Sequence, residues 1–260
     1  MAESRDRTSG SGMNPVMLIT GASRGIGAAT ARLAGKNGYA VCVNYISNRE
    51  AAEQVVRDIE GCGGKALAVQ ADISHSTDVE RLFHVCDLEL GTLSVLVNNA
   101  GILEKQMRVE DMDAARIERV LSANVTGAFL CAREAVKRMS TKHGGKGGTI
   151  VNVSSMAAKR GGPNDYVDYA ASKGAIDSMT IGLAKEVGSE GIRVNAVRPG
   201  VIYTDIHASG GEPGRVDRIG PTSPMGRGGT PEEVAEAILW LASDKASYST
   251  GAFIDVSGGR

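Results

Sequence analysis

Cysteine pairs, net charge and long apolar runs are all scarce in this sequence, and each shortage removes a class of function. Its 260 residues hold four cysteines, Cys42, Cys62, Cys86 and Cys131, with no CxxC pair among them. They form no metal-ligand cluster, so no metal site is expected, and Cys42 and Cys131, in apolar and helical runs, read as buried free thiols. The formal net charge of -1 offers no electrostatic pull toward nucleic acid or an anionic membrane. No run reaches the roughly 18 apolar residues of a membrane span. The opening "MAESRDRTSGSGMNP" lacks the apolar core of a secretory signal, so a cytoplasmic location is expected. Residues 1–14 read as a disordered tail, with a remnant of cloning as the alternative, and 15–260 as one domain. With 42% hydrophobic and 23% charged residues, the chain suits a single α/β domain with a sizeable core.

Apolar runs alternate with helical patterns along the chain. Strands are expected at 16–20, 40–45, 66–71, 93–99, 148–155, 193–199 and 252–256. Helices are expected near 25–37, 48–61, 76–90, 112–141, 168–188 and 231–243. The strands are continuous apolar runs, the pattern of a parallel sheet covered on both faces. Right-handed crossovers then give a Rossmann-like, doubly wound α/β fold of about seven strands. Residues 203–228, rich in Gly and Pro, stay irregular; so long a loop in a compact domain is usually functional or mobile.

The first strand leads into "TGASRGIGAATARLA", with Gly21, Gly25 and Gly27 spaced GxxxGxG. Gly21 permits a tight turn, Gly25 keeps a Cβ away from a pyrophosphate, and Gly27 lets the next helix sit close to the sheet. That helix offers free N–H groups to phosphates at its N-terminus. A ribose with free hydroxyls is usually held by an acid at the end of the second strand, but "VNYISNRE" has none before Glu50. Arg24, Ser47 and Arg49 instead suit a 2′-phosphate, unless the arginines are simply solvated; NADP is therefore expected over NAD.

"TGASRGIG" (20–27), "NNAG" (98–101), "NVSS" (152–155), "YAASK" (169–173) and "RPG" (198–200) follow the order found in classical short-chain dehydrogenase/reductases. The chain resembles that family over 15–259, most of all its bacterial glucose-dehydrogenase-like and 3-oxoacyl-reductase-like members. The resemblance implies a nicotinamide cofactor, NADP (NADPH) or alternatively NAD. It implies a cofactor site of Gly21, Ser23, Arg24, Gly25, Ile26, Gly27, Asn44, Tyr45, Ser47, Arg49, Asp72, Ile73, Asn98, Ala100, Gly101, Tyr169, Lys173, Pro199, Gly200, Ile202 and Thr204. Asp72 resembles the family's acid near the adenine, although an Asp there equally suits a helix cap. Asn124 resembles the family's helix asparagine, with a water-linked path to Lys173. Ser155 is implied as the hydroxyl that orients a substrate carbonyl, with Ser154 as the alternative if the loop before Tyr169 shifts the register.

Within "YVDYAASKG", Tyr169 and Lys173 are i and i+4, one turn apart on one helix face. Tyr166 lies two turns from the lysine and is left to packing or to the pocket, with Asn164 or Asp165 as the helix cap. Moving a phenol from about 10 to about 7 takes roughly 4 kcal/mol. One positive charge about 4 Å away supplies about that much at an effective dielectric near 20. Lys173 is accordingly expected to lower the Tyr169 pKa, and Tyr169 to exchange a proton with a carbonyl or secondary-alcohol substrate while the cofactor carries hydride. The family also implies a substrate lid at 203–228 and a homotetramer or homodimer. His207, within that segment, reads as a surface residue, while Arg215 and Arg218 either meet an acidic substrate or face solvent. A non-catalytic, NADP-sensing interaction protein is the rival; a dehydratase or epimerase fits poorly because the glycines are not GxxGxxG.

Overall fold

The computed structural model describes residues 14–260, and of the tail expected at 1–14 all but Asn14 lies outside them. Seven strands, β1 (Val16–Ile19), β2 (Ala40–Tyr45), β3 (Lys65–Gln70), β4 (Leu93–Asn98), β5 (Gly148–Val153), β6 (Ile192–Pro199) and β7 (Phe253–Val256), form one sheet. Every pairing is parallel, in the order β3-β2-β1-β4-β5-β6-β7. The order reverses between β1 and β4, which opens a crevice at the carboxyl ends of those strands.

Successive strand side chains point to opposite faces, so continuous apolar runs build two cores. Leu18, Cys42, Leu96, Ile150 and Val194 face one of them, beneath α3 (Ser76–Glu89), α5 (Gly127–Met139) and α7 (Val167–Val187). Met17, Val41, Val43, Val95, Val97 and Val151 face the other, beneath α1 (Gly25–Lys36), α2 (Arg49–Glu60) and α10 (Pro231–Ala242). Cys42, Cys86 and Cys131 are buried free thiols, and Cys62 is exposed.

The helix expected over 112–141 is two helices, α4 (Ala114–Leu121) and α5, joined by a π turn over Ser122–Thr126. That wider turn carries Asn124, whose amide leaves the helix to bond elsewhere; single π turns of this kind often mark functional positions. Residues 203–228 contain α8 (Ile206–Ser209) and α9 (Arg215–Ile219), after the short α6 (Ala157–Arg160) earlier in the chain. The base of the segment is pinned by a bridge between Ile202 and Gly229, with Tyr203 N–H donating to Gly229 O at 3.0 Å and Gly229 N–H to Val201 O at 2.9 Å. Among the described residues no helix is long and apolar enough to cross a membrane.

Candidate active site

A cavity of about 560 Å³ occupies the crevice, running from the glycine turn after β1 to the start of α7. At the first end, Thr20 and Asn99 hold the turn. Thr20 Oγ1 accepts from the Asn99 and Ala100 amides at 3.0 Å each, and Asn99 Nδ2 donates to Thr20 O at 2.8 Å and Gly21 O at 3.0 Å. Gly21 and Gly25 have φ of 62° and 54°, where glycine is strongly favoured. A Cβ on Gly27 would come within 2.5 Å of both Asn99 Nδ2 and Gly21 O. This residue is buried behind the turn and sets the approach of α1, as its spacing predicts. The N-terminus of α1 has no side-chain cap and no acid in its first turn, so its free N–H groups stay available. An uncapped 12-residue helix behind a side-chain-free cradle fits the pyrophosphate of a dinucleotide.

Ser23, Arg24, Ile26, Asn44, Tyr45, Asp72, Ile73, Ala100, Gly101, Pro199, Gly200, Ile202 and Thr204 line the cavity with Gly21 and Gly25. Asn44 braces rather than reaches: its Oδ1 accepts from Gly21 N–H at 3.1 Å, and its Nδ2 donates to Ala71 O at 3.0 Å. Asp72 closes a local turn instead of capping α3, accepting from Ser74 N–H at 2.9 Å and Ser74 Oγ at 2.7 Å. Besides Gly27, three expected residues lie off the wall. Ser47 is off the wall, and Arg49 sits on the outer first turn of α2, paired with Glu53 at 2.6 Å. Asn98 turns into the sheet, where Nδ2 donates to Asn152 Oδ1 at 3.0 Å, while Asn99 takes the wall position. A single residue of register at the end of β4 separates the two faces, which a motif match does not resolve.

At the second end, Ser155, Tyr169 and Lys173 share one wall. Ser154 points inward, donating to Asp177 Oδ1 at 2.7 Å and Lys173 O at 3.2 Å, which leaves Ser155 as the serine that faces Tyr169. Lys173 Nζ donates to Val153 O at 2.8 Å and lies 5.7 Å from the centre of the Tyr169 ring. The expected lowering of the phenol pKa by this lysine is not met. Burial pushes Tyr169 up to about 12, with Ser155 acting in the lowering direction. Burial also pulls Lys173 down to about 8, opposed by Asp177. Burial is the largest cause of both shifts, and helical spacing carries no information about it. Tyr169 is therefore a protonated acid at neutral pH rather than a ready tyrosinate.

Asn124 is buried behind this wall, accepting from Ile102 N–H at 2.7 Å and donating to Ser172 Oγ at 3.1 Å. A Cβ on Gly101 would lie 3.3 Å from Asn124 Oδ1, a tight contact, and 3.5 Å from Lys173 Nζ, an ordinary one.

Several neighbours were not legible as site residues. Neither Asn164 nor Asp165 caps α7: Asn164 sits at φ 64° and accepts from Arg108 at 3.1 Å, while Asp165 binds Arg215 at 2.8 Å. The helix is held instead by Asp168, which accepts from Tyr169 N–H at 2.9 Å and pairs with Arg116 of α4 at 2.8 Å. Tyr166, left by its sequence position to packing or to the pocket, is buried at the wall, its hydroxyl accepting from Gln106 at 3.0 Å and its ring lying 5.0 Å from the Arg215 guanidinium. His207 is a wall residue and not a surface one: Nε2 meets Ile202 O at 3.0 Å, and burial lowers its pKa. Arg218 lies off the wall, paired with Glu212.

A family model described as enoyl-(acyl carrier protein) reductase matches residues 21–260. The chain belongs to the classical short-chain dehydrogenase/reductase family. It is 61% identical over 245 residues to the uncharacterized oxidoreductase YgfF of Escherichia coli, covering 94% of this chain and 99% of that one. It is 41% identical to a 3-oxoacyl-[acyl-carrier-protein] reductase of Synechocystis, covering 94% and 96%. A solved short-chain dehydrogenase/reductase of Serratia marcescens superposes with a TM-score of 0.86 at 32% identity, covering 94% and 97%. As a short-chain dehydrogenase/reductase the protein is an oxidoreductase, and its family implies an NAD(P) cofactor.

Proposed function

We propose that this short-chain dehydrogenase/reductase reduces a small-molecule carbonyl to a secondary alcohol, with NADP as the preferred cofactor. The observation that carries the reading is the placement of Ser155, Tyr169 and Lys173 on one wall of a cavity whose other end is the glycine turn. The cofactor, when bound, supplies the hydride. Gly21, Ser23, Gly25 and the first turn of α1 would hold its pyrophosphate, with Asp72 and Ile73 toward the adenine and Thr204 toward the carboxamide. Ser155 orients the carbonyl oxygen by hydrogen bonding. Tyr169, protonated at neutral pH, donates its proton to that oxygen as negative charge develops. Lys173 places a positive charge behind the phenol and steadies the tyrosinate that remains. Asn124, with Gly101, shapes the space through which a water returns the proton. The acyl-carrier name of the Synechocystis relative supports carbonyl chemistry of this kind. Phe129 and Ile181, exposed on α5 and α7, are apolar surface that a homotetramer or homodimer would cover.

The reading is tested by NADPH consumption against a carbonyl panel; no turnover of any ketone or oxo acid would remove it. The cofactor preference rests on Arg24, exposed at the wall, and on the absence of an acid where β2 ends. Steady-state kinetics are expected to give at least tenfold higher kcat/KM with NADPH than with NADH, and Arg24→Ala to erase most of that ratio. Equal use of both cofactors by the unaltered enzyme would count against it.

The pH profile follows from the two buried groups. Lys173 loses its proton above about pH 8, whereas Tyr169 keeps its own to about 12. Reduction is thus expected to be level below about pH 7 and to fall as pH rises through 8. A profile flat to pH 9.5 would contradict a role for the lysine charge.

A further inference from the structure

The cavity wall also carries arginines. Arg160, at the end of α6, Arg215, at the start of α9, and Arg260 all line it. Their charges are not balanced alike. Arg215 is satisfied by Asp165 at 2.8 Å and Glu212 at 2.9 Å. Arg260 is not: its Nη1 is shut off from solvent and meets no acceptor among the described residues. The charges felt most by Arg260 are those of Arg160, Arg215 and Arg218, all of the same sign. Asp205, after Thr204, also lines the cavity.

A guanidinium nitrogen that is buried, unpartnered and surrounded by like charge is costly to keep, and a buried donor ordinarily has an acceptor. Arg260 lines the cavity, so a turn of its flexible side chain would bring that nitrogen to an acceptor held there. We infer that Arg260, with Arg160 beside it, is a carboxylate-recognition site at the substrate end, so that the substrate is an oxo acid reduced to a hydroxy acid. The inference rests on the carbonyl-reductase reading of Ser155 and Tyr169 and adds the substrate's charge to it. The carbonyl would sit at Tyr169 and the carboxylate at the arginine end, where a planar guanidinium presents a fork of donors to two oxygens. Tyr166, with its ring 5.0 Å from the Arg215 guanidinium and its hydroxyl tied to Gln106, lies on the same cavity wall.

The test compares 4-oxopentanoate and 5-oxohexanoate with their methyl esters, at saturating NADPH. For the better of the two chain lengths, kcat/KM of the acid is expected to exceed that of its ester at least tenfold. In Arg260→Gln that ratio falls toward one, and in Arg260→Lys it falls only in part, because the charge remains. Using the ratio cancels any general loss of activity in a variant. A second readout needs no turnover: calorimetric binding of glutarate to the protein without cofactor, expected to weaken at least tenfold in Arg260→Gln. Esters reduced as well as acids, together with glutarate that does not bind or binds the variant equally, would overturn the site while leaving the reductase reading intact. Arg260-dependent glutarate binding without reduction of any carbonyl would do the reverse, sustaining the anion site and removing the reductase reading.

Discussion

Tyr169→Phe is expected to lower kcat/KM for carbonyl reduction by about 10²–10⁴-fold, the usual contribution of a positioned general acid. The substitution removes one oxygen from a ring that otherwise stays in place. The backbone amide of residue 169 keeps its bond to Asp168, and Lys173 keeps its bond to Val153 O. Circular dichroism and the thermal midpoint should therefore be close to those of the unaltered protein. NADPH binding, followed by fluorescence, should remain because the cradle lies at the other end of the cavity. Because burial holds the phenol protonated to about 12, the loss is expected across the whole neutral range and should not be rescued by raising pH to 9. Full activity in the phenylalanine variant would exclude Tyr169 as the acid, whereas no turnover by the unaltered protein would leave the rival of a non-catalytic, cofactor-sensing protein.

Arg116→Met is expected to have the largest effect on stability, about 3–5 kcal/mol, as for other buried pairs that lose one partner. The Arg116 and Asp168 side chains are 5% and 2% exposed, so the carboxylate left behind cannot recover its hydration. The same guanidinium donates to Lys105 O at 2.6 Å, so the loop before α4 loses an anchor as well. Urea unfolding monitored by circular dichroism gives the change directly. The double variant Arg116→Met with Asp168→Leu should regain much of the loss, because an apolar pair of similar volume carries no stranded charge. A single-variant loss below about 1 kcal/mol would mean that water reaches Asp168 once the arginine is gone.

The parallel sheet and its helices were legible because continuous apolar runs and 3.6-residue periods report local geometry directly. β2 runs from Ala40 to Tyr45 as expected, with all six residues buried. The glycine turn was equally readable, since its three positions lie within one short motif. Features that depend on distant partners were not. Arg116 and Asp168 are 52 residues apart in the chain, and no local pattern marks them as a pair. The π turn over Ser122–Thr126 contains no proline or glycine to mark a break, so 112–141 reads as one helix. Arg49 has the right residue type at the right point in the motif order, yet the first turn of α2 carries it outward to Glu53. The balance between burial and charge at Tyr169 and Lys173 depends on how much protein surrounds each group, a quantity that spacing along a helix does not encode.

The bridge between Ile202 and Gly229 makes the segment above it a module. Its two ends meet within one backbone ladder, so the sheet does not register how long the excursion is or what it contains. Insertions, deletions and wholesale exchanges between those two residues would alter the roof of the cavity without disturbing the β6–β7 pairing below. A fold with such a socket can change what it accepts at little cost to how it folds, and the arginine-lined end of the cavity lies partly within the exchangeable part.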